Sequence, residues 1–446
     1  MSDLLGEATE ILQHLIRNAC VNDGSPGSGG ESRNADLLAS YLDGAGLHLE
    51  RYEPLPGRAS LIARLEGRDA TAPSLLLMGH TDVVPVTAEC WRHDPFGGEL
   101  IDGEIWGRGA LDMQSLTATM AVALRHLGAE GFSPAGDLIY LAVADEEAGG
   151  TYGAEWLTDH HPEAVRCDYL ITEGGGFHLP FSAPGAPRVS VKVAEKGGLW
   201  CTLVIRGTPG HGSTPFGTDN ALIKAAEVVA RLARCRPLAR VPEPWRLMVE
   251  ALELPAPLAG ALLDPEKIRE GGLSELDPVI LRLAHACTHL TLAPTVMQAG
   301  VKNNVIPDYA QIKLDIRTLP GQDGQEILSL LEDALGDLWS SVEFVVDSRG
   351  VANASPIDTP LWDSLQRATA KLLPGARCVP YLMPGMTDAR FFRRLGTTAY
   401  GFGLYSDRFS FAERMATVHG HDERVDQESL RLTTELWLAV AKDFLG

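Results

Sequence analysis

Apolar and polar positions divide this chain into blocks of distinct period. Leu75–Met78, Leu138–Ala144 and Tyr169–Ile171 are short, almost unbroken apolar runs. Such runs predict strands of a parallel sheet buried on both faces. Leu47–Tyr52 and Ala59–Leu65 also read as strands. Between these lie helical stretches: an amphipathic opening segment ending near Val21, Ser32–Leu42 stopped by Gly44 and Gly46, Ser115–Leu127, and one starting near Ala154. Asp23–Gly30 is a Gly/Ser loop. Strands alternating with helices predict an α/β layer fold with a mixed, mostly parallel sheet.

The pattern changes after Lys196-Gly197-Gly198. Leu199–Arg206 alternates like a half-buried strand, and a helix follows over Asn220–Cys235. Pro-rich helical pieces occupy residues 237–290. Strands at Thr295–Val301 and Tyr309–Arg317, a helix at Gln325–Leu335 and a strand at Val342–Val346 complete a β-α-β-β-α-β order. The α/β rhythm then resumes with a helix near Leu361–Leu372, a strand at Thr397–Phe402 and a last helix over Glu428–Leu445. Leu436, Val440 and Phe444 give that helix an apolar stripe. We therefore expect an α/β domain of residues 1–193 and 352–446, with an α+β domain of residues 194–351 inserted into it.

A length of 446 residues suits two domains. The formal charge of −21 argues against a nucleic-acid partner, because an acidic surface repels phosphates. Seven scattered cysteines without a C-x-x-C pair read as free thiols. No basic n-region with an apolar core opens the chain, and no apolar run reaches the length of a membrane span. These features lead us to expect a cytoplasmic protein with no membrane contact.

Chemistry enters at the strand ends, where open α/β sheets build their sites. Leu75–Met78 leads to His80 and Asp82, Leu138–Ala144 to Asp145-Glu146-Glu147, and Tyr169–Ile171 to Glu173. Asp112 closes a glycine-bearing segment just before the Ser115 helix. Residues i and i+2 of an extended chain face the same way, so the Asp82 carboxylate can reach the His80 ring and fix its tautomer. An isolated Glu-Glu reads as a solvated turn. Beside a histidine and several further acids it reads otherwise, because such a crowd repels itself unless cations fill it. One of the two glutamates can then bind metal and the other act as general base. There is no G-x-S-x-G elbow, P-loop or G-x-G-x-x-G fingerprint.

Taken in order, His80-Thr81-Asp82-Val83-Val84-Pro85, Trp91 to Phe96, Gly107 to Met113, Asp145-Glu146-Glu147, Gly210-His211-Gly212-Ser213 and His419-Gly420-His421-Asp422-Glu423 resemble the M20 family of metallopeptidases. That resemblance implies a zinc-hydrolase catalytic domain with an inserted lid and dimerisation domain. It implies two divalent metal ions, zinc first, with cobalt or manganese as alternatives. His80, Asp112 and Glu173 would hold one, and Asp112, Glu147 and His419 the other. His419 fits the family's His-x-x-Asp/Asn-Glu pattern better than His421 does. Glu146 would be the base and Asp82 the residue behind His80. His211 would act across a homodimer interface on the tetrahedral intermediate. Asn304, Arg317, Gly385 and Thr387 would contact the substrate, although Pro384 stands where the family commonly has glycine. The implied reaction is hydrolysis of an amide next to a free carboxylate, in a dipeptide, a C-terminal residue or an N-acyl amino acid. An N-succinyl or N-carbamoyl substrate is an alternative within the same mechanism. A metal-stabilised binding protein without activity is an alternative from another class.

Overall fold

A computed structural model of the chain describes residues 3–180, 185–273 and 276–446. The chain divides into two compact units. One comprises Met1–Val193, Ser355–Tyr381 and Thr387–Gly446; the other comprises Ala194–Ala354 and Leu382–Met386. The domain bounds expected from the sequence differ in placing residues 352–354 and 382–386 in the first domain.

The first unit is a mixed α/β layer. Its sheet runs His48–Leu55, Arg58–Leu65, Leu138–Val143, Leu75–His80, Tyr169–Thr172, Thr398–Gly401, Arg188–Glu195. The four strands from Leu138–Val143 to Thr398–Gly401 are parallel. Their flanking neighbours are antiparallel. Parallel pairing aligns the carboxyl ends along one edge, so the residues that follow three of these strands emerge together.

Both faces of the sheet are covered, which explains the unbroken apolar runs. Leu76, Met78, Ile139 and Leu141 pack with Ala154, Leu157, Phe391 and Phe392. On the opposite face, Tyr140 donates from its hydroxyl to the Thr117 carbonyl of the Gln114–Ala129 helix, 3.0 Å away.

Besides several two- and three-residue strands, two long strands of this sheet are absent from the sequence pattern. Arg188–Glu195 is buried along its whole length although it carries Arg188, Lys192 and Glu195. Arg377–Met383 pairs with it and contains Pro380, a residue that argues against a strand interior.

In the second unit, Thr291–Ala299, Tyr309–Thr318, Gly197–Arg206 and Val342–Gly350 form an antiparallel sheet in that order. The helices Ala221–Arg234 and Gly324–Leu335 cover one face, where Leu203, Ile205, Ile312 and Leu314 meet Ala225, Val228, Leu331 and Leu335. The other face mixes polar side chains such as Thr202, Gln311 and Lys313 with the exposed apolar Trp200, Val296 and Val345. All seven cysteines are unpaired. Among the described residues, no helix is long and apolar enough to cross a membrane.

Lys196 is fully buried in this unit. Its Nζ donates to the carbonyls of Ala286 (2.9 Å) and His289 (2.8 Å) and to the Thr291 hydroxyl (3.1 Å). It thus closes the carboxyl end of the Pro278–Thr288 helix, where a cation is favoured. Burial nonetheless draws its pKa from 10.5 down to about 7. Between those values the unfolded chain holds more protons than the folded one, so this group adds stability as pH rises. Denaturant unfolding at pH 7 and pH 10 should show the wild type gaining on Lys196→Met as pH increases. A pH-independent difference between the two chains would contradict this.

Candidate metal centre

His80 ends its strand fully buried. Its Nδ1 lies 2.9 Å from the main-chain carbonyl of Asp82. A carbonyl only accepts, so Nδ1 carries the hydrogen. Nε2 then faces the acids, 3.2 Å from Asp112 Oδ1 and 4.0 Å from Glu173 Oε2. On the other side of Asp112, His419 Nε2 lies 3.3 Å from Oδ2 and 3.2 Å from Glu147 Oε2. One carboxylate therefore stands between two imidazoles, each of which has a further acid beside it.

The electrostatics follow from this crowding. Burial opposes charge on Asp112, but hydrogen bonds from His419 and His80 hold its carboxyl far below the usual range. Burial also opposes charge on His80, yet Asp112 and Glu173 outweigh it and raise the ring well above its ordinary value. Asp112 and Glu147 lift His419 to about 10. Burial, reinforced by Asp112, lifts Glu173 to about 8. The site holds more negative charge than a desolvated crevice accommodates without cations.

The residues fit two divalent ions. Donor atoms of His80, Asp112 and Glu173 lie within 4.8 Å of one another, as do those of Asp112, Glu147 and His419. Nitrogen and oxygen donors without thiolate suit zinc, cobalt or manganese. Glu147 Oε1 is buried and has no hydrogen-bond partner among the described residues, as a coordinating oxygen would be. The Glu146 carboxylate makes no hydrogen bond among the described residues either. Burial and the neighbouring Glu173 raise its pKa well above normal.

Asp82 is placed differently from the sequence reading. Its carboxylate stays 3.6 Å from the His80 ring. The main-chain carbonyl takes the ring hydrogen instead. The carboxylate turns to the next strand end and accepts from the amides of Glu146 (3.2 Å) and Glu147 (3.1 Å). It thereby supports the turn that carries both glutamates.

Glu423 closes the last motif, and the sequence alone assigns it no role. It is fully buried. Its Oε1 accepts from the amides of Leu111 (2.8 Å) and Asp112 (2.9 Å), and its Oε2 from Gly109 N (3.1 Å) and Arg108 Nη1 (2.6 Å). It holds the Gly107–Asp112 segment in place, and with it the shared carboxylate. Its adjacency to Asp422 in the motif was the available signal. Asp422 itself pairs with Arg92, 2.7 Å away. His421 is exposed, and among the described residues no metal-type cluster contains it.

Thr387 is buried, and its hydroxyl accepts from Lys192 Nζ at 2.7 Å. The other polar candidates lie in the second unit. His211 is exposed on a two-residue strand, Gly210–His211, paired with Val305–Ile306. Its Nδ1 lies 3.2 Å from the Ser213 amide, which donates to it. Gly212 N donates to the Asn304 carbonyl at 2.9 Å, so the segments carrying His211 and Asn304 are neighbours. Arg317 forms a bidentate pair with Asp315, at 2.6 and 2.9 Å. Gly385 is half-buried.

The family model described as peptidase family M20/M25/M40 matches residues 76–443. The chain belongs to this family. It is 30% identical over 380 residues to the Homo sapiens protein named N-fatty-acyl-amino acid synthase/hydrolase PM20D1, covering 82% of this chain and 73% of that one. It is 29% identical over 388 residues to aminoacylase-1 of Sus scrofa, covering 86% and 82%. The M20 family metallo-carboxypeptidase Sso-CP2 from Sulfolobus solfataricus shares the fold, with a TM-score of 0.76 at 19% identity over 100% of this chain and 99% of that one. As a member of this family of hydrolases the chain is an enzyme.

Removing the Glu423 carboxylate leaves three amides and a buried guanidinium without their acceptor. Glu423→Ala should cost about 3–5 kcal/mol and reduce the metal retained after dialysis. Unchanged melting and metal content would contradict the role given to Glu423.

Proposed function

We propose that this M20 enzyme is a two-metal amidohydrolase that cleaves the amide of an N-acyl amino acid beside its free carboxylate. The observation that carries the reading is the pair of ligand triads sharing Asp112, with the unbonded Glu146 carboxylate next to Glu147. His80, Asp112 and Glu173 would hold one divalent ion, and Asp112, Glu147 and His419 the other. When bound, such ions supply Lewis acidity at the scissile carbonyl and make water a stronger acid.

The chain's own groups do the rest. Glu146 takes a proton from the attacking water and returns it to the leaving amine. A carboxyl whose pKa lies well above normal is suited to both halves of that task. Asp82 holds Glu146 by its amide. In a homodimer, His211 of one subunit would serve the other: Ser213 N–H occupies Nδ1, which leaves Nε2–H to donate to the oxyanion. Arg317 would meet the substrate carboxylate through Nη1, since Asp315 occupies only Nε and Nη2. Asn304 and the backbone at Gly385 complete the candidate substrate contacts. The N-acyl preference is supported by the two curated relatives, whose names specify N-acyl amino acid chemistry.

The test is a hydrolysis panel of N-acyl amino acids, dipeptides and N-succinyl amino acids with Zn²⁺, Co²⁺ or Mn²⁺. N-acyl amino acids should be cleaved fastest, and their carboxyl methyl esters slowly. Glu146→Gln should keep its metal and lose about 10²–10⁴-fold in kcat. Full turnover by metal-replete Glu146→Gln would overturn the mechanism, and efficient ester cleavage would overturn the carboxylate requirement.

A further inference from the structure

A buried polar chain runs behind the candidate centre to Asp82 through Arg58, Glu31, Asn22 and Asp145, which the mechanism above does not use. Arg58 opens its strand with 2% of its surface exposed. Its Nη1 lies 2.7 Å from Glu31 Oε1 and 3.4 Å from Asp145 Oδ1. Its Nη2 donates to Asn22 Oδ1 at 3.0 Å. Asn22, also 2% exposed, donates from Nδ2 to Asp82 Oδ2 at 2.9 Å and to Asp145 Oδ1 at 3.0 Å. Asp82 then accepts from the amides of Glu146 and Glu147. Glu31 Oε1 also receives the Asp145 amide at 3.2 Å, and Tyr152 N donates to Asp145 Oδ2 at 2.8 Å.

The arrangement is directional. Asn22 is a neutral amide between two acids and a guanidinium, with the Ser28 hydroxyl 3.3 Å from both Asn22 Oδ1 and Arg58 Nη2. Its amide must point Oδ1 at Arg58 and Nδ2 at Asp82, because the guanidinium has no acceptor and the carboxylate no donor. The Gly/Ser loop closes over it. At Gly29, where φ is +86°, a Cβ would stand 2.2 Å from Arg58 Nη1 and 2.5 Å from Glu31 Oε2. Only glycine lets the backbone approach that closely. The single guanidinium faces the acids Glu31 and Asp145 directly and Asp82 through Asn22, so it is also the local counter-charge. A buried acid left without such compensation is strongly unfavourable.

We propose that Arg58 and Asn22 are positioning residues for the hydrolytic turn: Arg58 orients Asn22, Asn22 orients the Asp82 carboxylate, and Asp82 sets the amides from which the Glu146 and Glu147 side chains project. The proposal rests on the hydrolase reading for its kinetic consequence, but its effect on Glu147 reaches metal affinity as well. Asn22→Asp is nearly isosteric and replaces the shared donor by an acceptor facing two acids. Arg58→Lys keeps the charge but not the fork, and Arg58→Met keeps neither.

The experiment measures kcat and KM separately, and the affinity of the weaker metal by chelator competition, in all three variants. Asn22→Asp should lower kcat and weaken that metal by about 10–100-fold each, with KM within twofold. Arg58→Lys should recover more of both than Arg58→Met. A folded Asn22→Asp chain with kcat and metal affinity within twofold of wild type would overturn the proposal, as would variants whose only change is a lower melting temperature. Should Arg58→Met fail to fold, Asn22→Asp carries the test. Failure of the hydrolase reading shows differently, as a wild type that turns over no substrate in the panel. The metal affinities then still decide whether the relay acts on Glu147.

Discussion

A single carboxylate held between two imidazoles governs the centre. Asp112 lies 3.2 Å from one ring and 3.3 Å from the other, and each ring has a further acid within 4.0 Å. The carboxylate oxygens of Asp112 and Glu173, and those of Asp112 and Glu147, lie within 4.8 Å of one another, and like charges that close repel by about 3 kcal/mol at the effective dielectric of a protein site unless opposite charge compensates them. The features around the site answer that constraint. Histidines approach from opposite sides, Glu423 grips the backbone of Asp112, and Asp82 grips the backbone of the turn bearing Glu146 and Glu147. Two divalent cations shared through Asp112 satisfy the same constraint most completely, and this donor set suits them.

The parallel sheet makes this concentration of acids achievable. Three of its central strands end at the same edge, and each has an apolar body packed on both sides. Rigid strands fix where the polar residues begin, and short turns fix how they project. The left-handed backbone at Asp145 (φ 69°) lies in one of these turns, and that at His419 (φ 56°) lies in the turn after the Phe411–Thr417 helix. Non-glycine residues reach that region at a cost that the surrounding hydrogen bonds offset.

Much of this was legible in the sequence because it obeys local rules. Apolar runs announced the central strands, and the acids at their ends announced the site. His419, remote in sequence, could be reached only through the order of motifs. The charged parts of the interior were not legible. Arg58 and Glu31 look like surface residues, since nothing local distinguishes a buried guanidinium or carboxylate from a solvated one. Arg188–Glu195 hid for the same reason, and Pro380 disguised its partner strand. For Asp82 the i, i+2 rule gave a sound direction, but it could not tell that the next strand end would offer two amides.

The central claim is that two ions share Asp112. Anomalous diffraction from crystals grown with Zn²⁺ or Mn²⁺ tests it most directly. The account predicts two peaks per chain, one bounded by His80, Asp112 and Glu173 and the other by Asp112, Glu147 and His419. A single peak, or two peaks of which only one touches Asp112, would contradict it.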